Sequence, residues 1–134
     1  MTDSLWQKIR GGLTLEEENV SPIACDLTAI SANTREGHVL TAKQMLGLVE
    51  GVRELPDGYA FRLPNQTDML LMAATYIANE RLCCPFFAFG IEIESEGGPL
   101  WLTLKGREGV KEFLAADMGQ HLRPEVADAS GLNR

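Results

Sequence analysis

Glu80-Arg81-Leu82-Cys83-Cys84-Pro85-Phe86-Phe87 decides how the chain is read. Ahead of it, Met69 to Leu82 is rich in helix formers and nearly free of charge, which predicts a long, mostly covered helix. Pro85 disfavours the helical conformation at Cys84 and so ends that helix. Beyond it, Phe87, Phe89, Ile91 and Ile93 alternate with Ala88, Gly90, Glu92 and Glu94, the period-2 pattern of a half-buried strand. The stretch is therefore a helix-to-strand junction, and it holds two of the three cysteines.

Strand signals recur on both sides. Gly51-Val52-Arg53-Glu54-Leu55, the turn Pro56-Asp57-Gly58 and Tyr59-Ala60-Phe61-Arg62-Leu63 spell a hairpin, with Pro presetting the first turn position and Gly expected to supply a positive φ. The Phe87 strand runs through Ser95-Glu96-Gly97-Gly98-Pro99 into Leu100, Leu102 and Leu104, its antiparallel partner. A helix from about Asn33 to Glu50 is expected to bury Val39, Met45, Leu46 and Val49, with Leu40 and Leu48 widening the stripe; Asp26 or Ser31 would cap it. Asn65 or Thr67 would cap the long helix. Arg107 to Met118 reads as a last amphipathic helix, stopped by Gly119.

These elements predict an α+β fold: a four-stranded antiparallel sheet from two hairpins with helices packed on one face, in the order helix-hairpin-helix-hairpin-helix. Residues 1–20 read as an N-terminal arm, where Leu5, Trp6 and Ile9 precede a Gly11-Gly12 break. Residues 21–118 form a single domain, and residues 119–134 a frayed C-terminal tail.

At 134 residues the chain suffices for one ordinary core. A net charge of -7 and a pI near 4.8 argue against a nucleic-acid surface and against binding to an anionic membrane. No apolar run approaches the ~20 residues of a membrane span. The first residues lack the pattern of a signal peptide, so a cytoplasmic protein is expected. In that compartment, and with an odd cysteine count, the thiols are expected to be free rather than joined in disulfides.

The signature Glu80-Arg81-x-Cys83-Cys84-Pro85-Phe86 resembles that of a family of small bacterial proteins. The likeness continues through the alternating strand, a Gly-rich turn, Leu100-Trp101-Leu102-x-Leu104 and Gly109-Val110-Lys111-Glu112-Phe113-Leu114, and spans roughly Cys25 to Leu114. The same module resembles one appended to some MerR-like, mercury-responsive-type regulators. The resemblance implies a self-contained α+β module that senses or binds thiophilic metals. No helix-turn-helix segment precedes the module here, so a regulator's DNA-binding role does not carry over.

The chemistry of the candidate site follows from its donors. Cys25, Cys83 and Cys84 are soft thiolate ligands suited to zinc, mercury(II) or arsenic(III) in a trigonal site, and Glu80 or His38 could add a fourth ligand. Tyr76, one turn before Glu80, could line the same pocket. Adjacent helical side chains point about 100° apart, so Cys83 and Cys84 can share an ion only if the helix has already ended. A helix C-terminus also disfavours thiolates.

Blander readings stand beside this one. The cysteines also suit small buried hydrophobes at a tight junction. Glu80 suits an ion pair or a bond to strand backbone. His38, on a glycine-flanked helix start, reads as exposed, and His121 as inert. Three functions stay open: a thiol-based soft-metal or metalloid binder, an interaction domain that dimerises through a sheet edge or the Trp6 arm, and a thiol-dependent enzyme.

Overall fold

A computed structural model describes residues 20–132; the Leu5, Trp6 and Ile9 cluster lies outside the described residues. The described residues form an α+β fold, with one four-stranded antiparallel sheet and four α-helices among them. In chain order these are α1 (Ala32–Gly47), β1 (Gly51–Leu55), β2 (Gly58–Leu63), α2 (Thr67–Cys83), β3 (Ala88–Ile93), β4 (Leu100–Lys105), α3 (Val110–Met118) and α4 (Pro124–Ser130). Short 3-10 turns at Leu27–Ala29 and Gly119–His121 precede α1 and follow α3. No described helix is long and apolar enough to cross a membrane.

The strand order is β1-β2-β4-β3, and the two central strands are the most buried. Register sets one row of side chains across all four: Val52 faces Phe61, Phe61 faces Leu102, and Leu102 faces Ile91. Phe61 and Leu102 at the centre are buried, whereas Ile91 on the edge strand is exposed. The neighbouring rows, Tyr59 with Leu104 and Leu63 with Leu100, complete the core face. On the opposite face Trp101 is covered by Arg53, whose guanidinium carbon lies 4.1 Å from the ring centroid. The Trp101 indole N–H also donates to Glu94 Oε2 at 2.7 Å.

Several local expectations are corrected. Gly58 does not take a positive φ. It is required for another reason: a Cβ there would lie 2.6 Å from Lys105 Cα, because β4 passes directly alongside. Asn65 and Thr67 do not cap α2. Gln66 occupies the cap position without a side-chain bond, and Asn65 instead donates to the Gly98 carbonyl at 2.7 Å, tying the α2 entry to the β3–β4 turn. Of the two cap candidates for α1, Ser31 holds the cap position, without a side-chain bond to the helix backbone, whereas Asp26 caps the first 3-10 turn, accepting from the Thr28 N–H. Leu40 and Leu48 are exposed, so the buried stripe of α1 is narrower than its leucines suggested.

The largest correction concerns residues 119–132, which are not frayed. Gly119 is right-handed at φ -54° and continues the chain into a 3-10 turn instead of stopping it. Pro124 opens α4 at its first turn and Gly131 closes it at φ 72°. Leu122, Val126, Ala127 and Leu132 join the core, and α4 packs against β1. Apolar burial holds this segment down despite its polar composition.

Candidate functional site

The end of α2 builds the site. Cys83 is its last helical residue, and Cys84 has already left the helix at φ -130°, ψ 66°. That change of backbone undoes the angular separation that a continuous helix would impose, and the two sulfurs lie 3.6 Å apart. Both side chains are buried.

Cys25 arrives from far away in sequence. The backbone N–H of Asp26 donates to the Cys83 carbonyl at 2.9 Å, which docks the 21–30 segment on the α2 terminus. Cys25 and Cys84 are joined there in a disulfide, with Cα atoms 4.9 Å apart. The expectation of three free thiols is thus corrected: Cys83 is the free cysteine among the described residues. The odd count allowed one pair plus one single thiol, and tertiary docking selected the pair.

Glu80 sits one turn before the cysteines and is 7 % exposed. Its Oε1 lies 2.7 Å from His38 Nε2, a buried pair between α2 and α1. With Glu80 as carboxylate the ring donates through Nε2–H, and Nδ1 becomes its second hydrogen-bonding atom. The Cys83 S–H lies 3.5 Å from both Glu80 Oε1 and the Glu80 carbonyl. Burial, and then the Glu80 charge, push the Cys83 thiol from 9.0 up to about 12. Ligand atoms of Cys25, Glu80, Cys83 and Cys84 all lie within 4.8 Å of one another. His38 is not part of that four-residue group; it holds Glu80 from behind.

A cavity of about 180 Å³ opens beside this cluster, between α1, α2 and the end of α3. Cys25, His38, Tyr76, Glu80 and Cys83 all reach its wall, so every side chain singled out in the sequence except Cys84 lines it. Tyr76 stacks near His38 at 5.7 Å between ring centroids. Its phenol is pushed well above 10.0 by burial first and by the Glu80 charge second.

Sequence reasoning passed over Asp117 and read His121 as inert, and both belong to this wall. Burial and then Glu80 raise Asp117 above its usual 3.8, and His121 pulls it back. Reading the tail as frayed removed His121 from view. The available signal was Leu122 and Val126 at helical spacing around Pro124, an apolar stripe that needs a partner. His38 was expected to be exposed and is 4 % exposed, because α1 turns that face onto α2. Comparison of the chain with family models, curated proteins and solved structures finds no match.

Proposed function

We propose that this protein is a thiol-based binder of a soft metal or metalloid cation that works in its reduced form. The grouping of three sulfurs and one carboxylate within 4.8 Å carries this reading. Two sulfurs on one tetrahedral ion with Zn–S bonds near 2.3 Å are ~3.8 Å apart. The 3.6 Å between Cys83 and Cys84 is close to that span. Sulfur-rich donors favour zinc, mercury(II) or arsenic(III) over magnesium or calcium.

Two conditions follow from the geometry. The Cys25–Cys84 disulfide must first take up two electrons and two protons from a thiol reductant, since bonded sulfurs are not thiolate ligands. Cys83 and the two thiols so formed must then release their protons to solvent as the cation takes their place, which at Cys83 the neighbours resist. His38 supports the site by orienting Glu80. The likeness to modules of MerR-like regulators points the same way, toward sensing of thiophilic ions by a bacterial cytoplasmic protein.

One observation favours a second reading, a packing role for the cysteines. The disulfide and the Asp26-to-Cys83 backbone bond together fasten the 21–30 segment to α2.

Native mass spectrometry decides between them. Protein reduced and then freed of reductant, and untreated oxidised protein, are each offered zinc or mercury(II). One ion per reduced chain, lost on oxidation and in a Cys83→Ser/Cys84→Ser variant, is the expected result. No uptake, or equal uptake by the variant, would sink the binding reading and leave the fastening one.

A further inference from the structure

The sheet ends on an edge with open pairing capacity. β3 is an outer strand, and among the described residues no segment pairs with its free side. An open strand edge is a template for another strand, and sequences usually blunt it with Lys, Pro or a bulge. β3, Ala88-Phe89-Gly90-Ile91-Glu92-Ile93, contains no Lys and no Pro, and its register with β4 runs without a bulge. The opposite edge is managed differently: β1 carries Arg53, which lies over Trp101, and Glu54, which binds Lys111, and α4 packs against it.

The β3–β4 hairpin fixes which backbone groups face outward. The Glu94 N–H donates inward to the Pro99 carbonyl at 3.0 Å, and the direction alternates along an antiparallel strand. The N–H and C=O groups of Ala88, Gly90 and Glu92 therefore point toward β4, and those of Phe89, Ile91 and Ile93 point away from it. The side chains of Ile91 and Ile93 are 36 % and 47 % exposed. They share the face of Phe89, whose ring meets Tyr76 edge-on, so the core face continues uncovered to the rim of the sheet.

We propose that β3 pairs antiparallel with β3 of a second copy of this chain about a two-fold axis at Ile91, joining the two sheets into one. Phe89, Ile91 and Ile93 then exchange pairs of backbone hydrogen bonds with the partner's Ile93, Ile91 and Phe89. Charge selects this register. An axis at Glu92 opposes two glutamates, and an axis at Ile93 sets Glu92 against the partner's Glu94. An axis at Phe89 shortens the overlap, because β3 begins at Ala88. The axis at Ile91 sets Glu92 opposite the partner's Gly90 and Glu94 opposite the partner's Ala88. It also adds an attraction. Lys105 lies opposite Ala88 on β4, so Lys105 and the partner's Glu94 flank that small residue on one face, about 9–10 Å apart at Cα, within reach of two long side chains. Lys105 is exposed and has no ion pair among the described residues. The two-fold axis makes this contact twice. The pairing does not depend on the metal reading.

Sedimentation equilibrium of the full chain, with and without reductant, tests the inference. A reversible dimer in both conditions is expected. Ile91→Lys, which sets like charges against each other at the axis, is expected to weaken it by about tenfold or more. Leu48→Lys, the same kind of change at an exposed leucine of α1, is expected to leave it unchanged. Glu94→Lys is expected to weaken the dimer, and Glu94→Lys/Lys105→Glu to restore it. Circular dichroism establishes that the variants are folded. Amide hydrogen exchange at Phe89, Ile91 and Ile93 is expected to be slower in the dimer than in the Ile91→Lys protein. A monomer at high micromolar concentration would overturn the proposal, and slow exchange of those amides in such a monomer would assign the edge to residues 1–19 instead. A dimer lost on reduction, or one broken by Leu48→Lys and not by Ile91→Lys, would equally overturn it, and failure of the charge exchange to restore the dimer would refute the register.

Discussion

His38 Nε2 and Glu80 Oε1, 42 residues apart in sequence, meet at 2.7 Å in the interior between α1 and α2. The same carboxylate oxygen lies within reach of the Cys83 thiol, so one side chain serves two buried partners. Glu80→Ala orphans both and is expected to cost ~1–3 kcal/mol. Glu80→Gln retains an acceptor oxygen and costs less. Urea unfolding midpoints of the two variants check the order. Removing the charge also lets Asp117 fall back toward the usual carboxylate range, which carboxyl NMR titration can follow.

Cys83 makes stability sensitive to alkali. Its thiol is raised from 9.0 to about 12 in the folded chain. Between those values the unfolded chain releases the proton and the folded chain keeps it. The unfolded state then binds fewer protons, so stability falls as pH rises through that window. Cys83→Ala is expected to flatten the fall between about pH 9 and pH 12, measured by denaturant midpoint against pH. For the same reason Cys83 in native protein resists iodoacetamide at neutral pH and reacts once unfolded.

Reduction of the Cys25–Cys84 bond, which spans a sequence separation of 59, is expected to remove ~2–4 kcal/mol of stability. A Cys25→Ser variant should match the reduced protein. Limited proteolysis locates the loss: cuts are expected within residues 21–30, the segment that the bond and the Asp26 N–H fasten to α2.

The C-terminal segment is part of the core and not an appendage. Leu122 is 5 % exposed, and Leu122→Ala is expected to cost ~2–3 kcal/mol, the lower part of the range for buried leucines. Thermal or urea unfolding gives the value directly, and a change within experimental error would contradict the packing of this segment against the domain.

What the sequence made legible follows the reach of each signal. Alternation in Tyr59–Leu63 and Leu100–Lys105 is a local property, and these became the central strands. The α2 terminus was legible for the same reason, because Pro85 and the helical spacing of Tyr76, Glu80 and Cys83 lie within three turns. The pairing of Cys25 with Cys84 was not, since it depends on a loop docking from 59 residues away. His38 was misjudged because Gly37 suggested a loose helix start, while its burial comes from α2. His121 was lost with the tail, since a segment whose order comes from tertiary burial carries little propensity of its own, whereas Asp117, inside the expected last helix, was missed because it reaches the cavity wall only through the packing of that helix.

The sulfur cluster is lopsided, because Cys25 is exposed while Cys83 and Cys84 are buried. That asymmetry imposes a direction of travel. In the reduced protein, an incoming ion or thiol-reactive probe collides first with Cys25, in a step whose rate scales with its concentration. Transfer to the interior sulfurs follows at a rate set by the protein alone. Stopped-flow traces should therefore resolve a concentration-dependent phase and then a concentration-independent one, and loss of Cys25 should abolish the first.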